Sequence, residues 1–182
     1  VGPPKSTSAI PSSNSLSNSD MAISQVRFNF NYRRRNKKSQ RLSYGINGNV
    51  MKDKYPTVIF WQDDALQLYR GYQGGIFLSE RERFTLDPFL TYFHKNGLQH
   101  KLRTRVYYQN NISNSGLSNR GTTFYGNYQI QRKLQRVKNL TVTAGVSLNQ
   151  SHVSGKDLES PDISEHEITN TSLYLQVDKK FW

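Results

Sequence analysis

The sequence predicts an all-β fold, an antiparallel up-and-down meander of about seven long strands, and three observations carry that expectation. Apolar and polar residues alternate with a period of two along most of the chain after residue 22. Each alternating run holds roughly ten residues, where the strands of soluble proteins average about five or six. The connections between runs also alternate, short then long. Strands of about 9–11 residues joined by short turns at one end and long loops at the other are the pattern of a transmembrane outer-membrane β-barrel.

The runs follow in order. Val26, Phe28, Phe30 and Tyr32 alternate with Arg27, Asn29, Asn31 and Arg33. Leu42, Tyr44, Ile46 and Val50 alternate with Ser43, Gly45, Asn47 and Asn49. Phe84, Leu86, Leu90 and Tyr92 share one parity, interrupted by Pro88. Leu102, Thr104, Val106 and Tyr108 alternate with Lys101, Arg103, Arg105 and Tyr107, and Phe124, Tyr128 and Ile130 with Thr123, Tyr125, Asn127 and Gln129. Leu140, Val142, Ala144, Val146 and Leu148 form the sixth apolar stripe, and Thr171, Leu173, Leu175 and Val177 the seventh. Short turns are expected at Arg34–Gln40, at His94–Leu98 with its Asn96-Gly97 hairpin signal, and at Lys133–Asn139. Long loops are expected at Met51–Gly75, Gln109–Gly121 and His152–Glu167.

Composition bounds the function. Hydrophobic residues make up 35% of the 182, below the ~45–50% of an ordinary globular domain with a thick core. Yet 11 Tyr, 9 Phe and 2 Trp are too many for a disordered chain. No stretch approaches the ~18 apolar residues of a transmembrane helix, and without cysteine there is neither a disulfide framework nor a thiolate metal site. The net charge of +12, from 25 Lys+Arg against 13 Asp+Glu, is distributed unevenly. Ten of the 25 cations sit in two short turns: Arg33, Arg34, Arg35, Lys37, Lys38 and Arg41, then Arg132, Lys133, Arg136 and Lys138. The loop His152–Glu167 instead sets Asp157, Glu159, Asp162, Glu165 and Glu167 against Lys156. Residues 1–22, Ser/Pro-rich, read as a flexible leader or the remnant of an extracellular loop, and 23–182 as the barrel segment.

Several stretches resemble the mid-barrel of a TonB-dependent outer-membrane receptor of the Bacteroidetes type: LSYGINGNVM (42–51), FTLDPFLTYF (84–93), NGLQHKLRTRVYYQNN (96–111), TTFYGNYQIQRKL (122–134) and LYLQVDKKFW (173–182). The resemblance implies a 22-stranded barrel around a plug domain, in the outer membrane of a Gram-negative cell, taking up a ferric siderophore or other scarce nutrient. Its partners would be outer-membrane lipid, the plug of the same full-length protein, the TonB complex and the nutrient, with no cofactor. Neither plug nor TonB box is visible here, and seven strands with ends on opposite sides imply a segment of a barrel. Phe181-Trp182 lacks the alternating apolar residues of a terminal assembly signal, having Lys180, Asp178 and Gln176 before it. It reads as the start of another periplasmic turn.

Two sets of residues are candidates for binding. Trp61, Asp63, Asp64, Tyr69, Arg70 and Tyr72 in the long loop mix aromatic surface with hydrogen-bonding groups, which suits ligand capture or equally packing and an interfacial girdle. Lys101, Arg103 and Arg105, with Arg27 on another strand, form a basic stripe on the lumen parity. It would attract an anionic ligand, hold an acidic plug surface, or simply be a solvated wall. No catalytic constellation is present, so no enzyme is expected. His152 and His166 flank one loop with Glu165 and Glu167, but their spacing matches no metal motif. The alternative is a basic soluble β-sheet protein that binds nucleic acid or another polyanion. It needs cations and aromatics on one face, whereas here, Tyr107 excepted, they segregate.

Overall fold

A computed structural model describes residues 20–36, 41–63, 68–134, 137, 140–155 and 164–179. Seven strands form one sheet: β1 (Ser24–Arg35), β2 (Leu42–Val58), β5 (Ile76–Phe93), β6 (Leu98–Ser113), β7 (Asn119–Leu134), β8 (Leu140–Gly155) and β9 (Ser164–Lys179). The order is β1-β2-β5-β6-β7-β8-β9, every neighbour antiparallel and sequential. Between β2 and β5 a small separate hairpin pairs β3 (Trp61–Asp63) with β4 (Leu68–Gly71). Strands β1 and β9 are the two edges and do not pair with one another among the described residues, so the sheet is open. The Ser-rich leader up to residue 19, the acids Asp157, Glu159 and Asp162, and Phe181-Trp182 lie outside the described residues.

The strands exceed the expected ten residues, at 16 to 18 from β2 through β9 in the main sheet, because three expected loops are partly strand. β2 runs on to Val58, only 114–118 separate β6 from β7, β8 reaches Gly155 and β9 starts at Ser164, while β5 begins at Ile76, before the expected apolar run from Phe84. Two charge-alternating segments build part of this extension. Lys52, Asp53 and Lys54 stand opposite Glu82, Arg81 and Glu80, so each pair is complementary, and opposite charges across a strand pair contribute about 0.2–1 kcal/mol each. Pro88 does not end its strand either. β5 passes through it, and the β5–β6 pairing lapses only at Asp87 and Pro88, since proline has no N–H for the ladder.

Period-two alternation sorts the side chains onto two faces. Partner positions carry the apolar stripe across every strand, for example Phe30–Gly48–Leu86–Val106–Phe124. The opposite face takes Asn31–Asn47–Asp87 and Arg105–Tyr125–Asn149. Among the described residues nothing covers the apolar face: Val26 is 74% exposed, Phe28 63% and Leu173 83%. Among the described residues the buried hydrophobics are Met51, on the polar parity, with Ile76 and Leu78 at the long-connection end. There Asn114 accepts from Leu78 N at 3.0 Å and Gly71 of the hairpin comes close to Ile76. This is one layer with no central core. Flat aromatics cover glycines across the strands, Phe30 on Gly48, Phe89 on Gly45 and Tyr174 on Gly145, filling gaps that a single layer leaves open.

The Asn96-Gly97 signal produces a hairpin with a three-residue loop. His94 N donates to Leu98 O at 2.8 Å, Gly97 N to His94 O at 3.2 Å, and Asn96 Oδ1 accepts from Leu98 N at 3.2 Å. Gly97 has φ +80°, the left-handed residue that closes such a turn. Gly97→Ala should therefore lower stability by about 1 kcal/mol, read as the urea midpoint of protein refolded in detergent micelles. An unchanged midpoint would contradict this turn.

Candidate functional site

The polar face holds the densest chemistry. Arg33 of β1, Asn47 of β2, Asp87, Phe89 and Thr91 of β5, Arg103 and Arg105 of β6, and Tyr125 of β7 line a concavity of about 770 Å³. A neighbouring one of about 580 Å³ adds Asn49, Thr85, Tyr107 and Thr123. Of the expected basic stripe, Arg103 and Arg105 thus share a site, and Lys101 continues on their parity with Nζ 3.4 Å from Gln131 Oε1. Arg27 shares the face but not the site: its Nη2 lies 3.0 Å from Met51 Sδ, in a row with Arg83 and Gln109. The residue brought in instead is Arg33, whose row neighbours are Gly45, Phe89 and Arg103. Sequence reasoning assigned Arg33 to the basic turn, although its parity with Arg27 was the available signal.

Charge in the concavity is partly satisfied. Arg105 grips Asp87 with both arms, Nε to Oδ1 at 2.7 Å and Nη2 to Oδ2 at 2.8 Å, a planar fork that fixes both side chains. Among the described residues neither Arg33 nor Arg103 has an acid within salt-bridge distance. The site keeps two uncompensated guanidiniums beside amide, hydroxyl and aromatic groups. It can accept an anion or a hydrogen-bonding polar surface. Higher on the same face Arg83 Nε and Asn111 Oδ1 are buried without a partner, a costly state for a wall that meets nothing.

A second, tighter constellation was missed. Arg81 holds Asp53 through Nε–Oδ1 at 3.0 Å and Nη2–Oδ2 at 2.7 Å, and its guanidinium carbon lies 4.2 Å from the centre of the Tyr55 ring. The hydrogen bond to Asp53 raises the Arg81 pKa further above its ordinary value, and that to Glu82 raises Lys52 in the same way. The sign-alternating segments MKDKY (51–55) and SERER (79–83) were its signal.

No protein-family model matches the sequence, and no curated protein matches it either.

The expected capture loop is a hairpin. Trp61, in β3, and Tyr72, just after β4, are exposed at 53% and 57%, and Tyr72 N donates to Phe60 O at 2.8 Å. Asp63 falls in β3, Tyr69 and Arg70 in β4, and Asp64 lies outside the described residues. Ile59 and Phe60, exposed at 53% and 64%, extend the apolar surface and were not anticipated. The two histidines of the last connection separate by parity: His152 pairs with Glu167, and His166 with Val153 on the other face. Among the described residues no group of three potential ligands gathers.

Proposed function

We propose that this chain is part of the wall of an outer-membrane β-barrel of the TonB-dependent receptor kind, a non-catalytic element in the uptake of a siderophore or other scarce nutrient. The observation that supports it best is the continuous, uncovered apolar face of a one-layer sheet. In water such a face is a liability; in a bilayer it is the lipid contact. Its length agrees: in β5 the apolar parity runs from Phe84 to Tyr92, and a tilted membrane-crossing strand needs about 9–11 residues. The open edges β1 and β9 then pair with further strands of the barrel, because unpaired backbone is not tolerated in lipid.

On this reading the polar face looks into the lumen. Arg33 and Arg103 meet an anionic ligand or an acidic surface of the plug, and the orphaned Arg83 Nε and Asn111 Oδ1 find partners on the plug. The β3–β4 hairpin, with Trp61 and Tyr72, stands outside the bilayer and takes part in capture, while movement of the plug is driven by the TonB complex. A second reading, polyanion binding by a soluble sheet, is favoured by Tyr125 and Phe89 beside the same guanidiniums, since aromatics and cations share that concavity.

Fractionation separates the two. The full-length gene product should sediment with outer membranes and need detergent for release. Recovery in the detergent-free soluble fraction, bound to nucleic acid in a salt-sensitive way, would replace the first reading with the second.

A further inference from the structure

At the short-turn end of the apolar face the side chains change character together. Arg34 stands opposite Tyr44, Tyr92 opposite His100, and Leu98 opposite Arg132. Tyr128 is paired in register with Leu102, yet its hydroxyl reaches His100 Nδ1 at 2.7 Å. The phenol therefore points along the sheet toward the turn, away from the apolar band. The His100 and Tyr128 rings stack at 6.1 Å, Tyr92 lies 6.0 Å from His100, and His94 meets Tyr92 edge-on at 6.3 Å. This belt is apolar on its inner side and polar toward the rim.

Beyond the belt come cations. Arg34, Lys95 and Arg132 are exposed. Residues 34–36, 41–44, 92–98, 130–134 and 140–142 contain no acid. Asp178, the one acid near this end among the described residues, is on the polar face and accepts from Gln176 Nε2 at 3.0 Å. The same face ends differently at the long connections, where Glu80, Glu82, Glu165 and Glu167 appear. Aromatic groups at the sheet's end, with the Tyr128 phenol turned toward the rim, followed by a row of exposed cations, match the boundary between acyl chains and headgroups. Nucleic acid would need open ring faces for base stacking, whereas here His100 and Tyr128 stack on one another and Tyr92 packs against both His100 and His94.

We propose that this rim binds the phosphates of anionic phospholipid headgroups, with Arg34, Lys95 and Arg132 as the cations and Tyr44, Tyr92, His100 and Tyr128 as the belt beneath. The inference rests on the membrane-wall reading and adds the lipid class that fixes the depth and orientation of the sheet.

Flotation of the full chain with vesicles tests both, separately. Association with pure phosphatidylcholine vesicles reports the membrane reading; added phosphatidylglycerol reports the rim. Phosphatidylglycerol should strengthen association, and the triple variant Arg34→Gln, Lys95→Gln, Arg132→Gln should lose roughly 100-fold of it, at about a factor of five per charge. The variant should still bind phosphatidylcholine like the parent, while Arg34→Lys with Arg132→Lys should keep the enhancement. Binding to phosphatidylcholine with no gain from phosphatidylglycerol overturns the rim alone. No association with either vesicle overturns both readings. Duplex DNA that displaces the chain from phosphatidylglycerol vesicles while the triple variant binds DNA equally well would also overturn the assignment of these cations.

Discussion

Arginine placed at Val146 should cost about 2–3 kcal/mol of stability in a lipid bilayer, and arginine at Ser147, the next residue, less than about 1 kcal/mol. The two positions differ only in parity. Val146 is 37% exposed on the apolar face, with Tyr128 and Leu173 as its cross-strand partners. Ser147 faces the other way, between Asn127 and Ser172. If the apolar face meets lipid, a guanidinium at Val146 must be dragged into hydrocarbon or snorkel toward a headgroup, whereas at Ser147 it enters the polar concavity side of the wall. If that face meets water, the order reverses: Val146→Arg removes an exposed apolar group and should be neutral or helpful to solubility. Urea titrations of both variants refolded into liposomes decide it. Equal midpoints, or a larger loss at Ser147, would remove the membrane assignment for this face.

That contrast depends on facts legible in the sequence. Alternation alone placed Val146 and Ser147 on opposite faces, identified all seven strands of the main sheet and gave their up-and-down order. It worked because a half-polar strand has a period no helix can imitate. What it misjudged were the long connections. Met51–Gly75 and Gln109–Gly121 were expected as loops, yet β2 extends to Val58 inside the first, β6 and β7 extend into the second, and β5 starts at Ile76, before the apolar run from Phe84. There the apolar signal stops and charge alternation takes over: Lys52, Asp53 and Lys54 against Glu82, Arg81 and Glu80. A reading tuned to hydrophobicity passes over strands whose two faces differ in sign of charge. Pro88, an interruption within one parity, leaves its strand whole as expected, since one missing ladder hydrogen bond is tolerated where the neighbouring pairs are intact. The site was half legible. Arg103 and Arg105 follow from parity on a single strand, but bringing in Arg33 requires the register across β1, β2, β5 and β6, which the sequence does not supply.

The charge ladder also sets the second large expectation. Arg81→Met should destabilise the protein by about 2 kcal/mol, because it removes the fork that satisfies the Asp53 carboxylate, whose side chain is only 8% exposed, and leaves that charge nearly buried without compensation. Methionine keeps most of the stem volume, so the loss reports the charge and not a cavity. Asp53→Asn should cost less, near 1 kcal/mol, since the amide still accepts one hydrogen bond from Arg81. The double variant should recover part of the sum, and the coupling should exceed about 0.5 kcal/mol if the pair acts directly. Lys52→Gln is the contrasting case: its bridge to Glu82, at 3.0 Å, has side chains 59% and 39% exposed, so its loss should stay within about 0.5 kcal/mol. The asymmetry follows from the register. Sliding β5 by two residues puts Ser79 or Arg83 opposite Asp53 and breaks at least one of the Lys–Glu pairs, and sliding by one turns every side chain to the wrong face. Of these three β2–β5 charge pairs, Asp53–Arg81 is the one on the polar face, so it anchors the β2–β5 register from the inner side. Urea midpoints of the four variants measure this. Additive losses for Asp53 and Arg81 would show that the pair contributes nothing beyond its separate side chains.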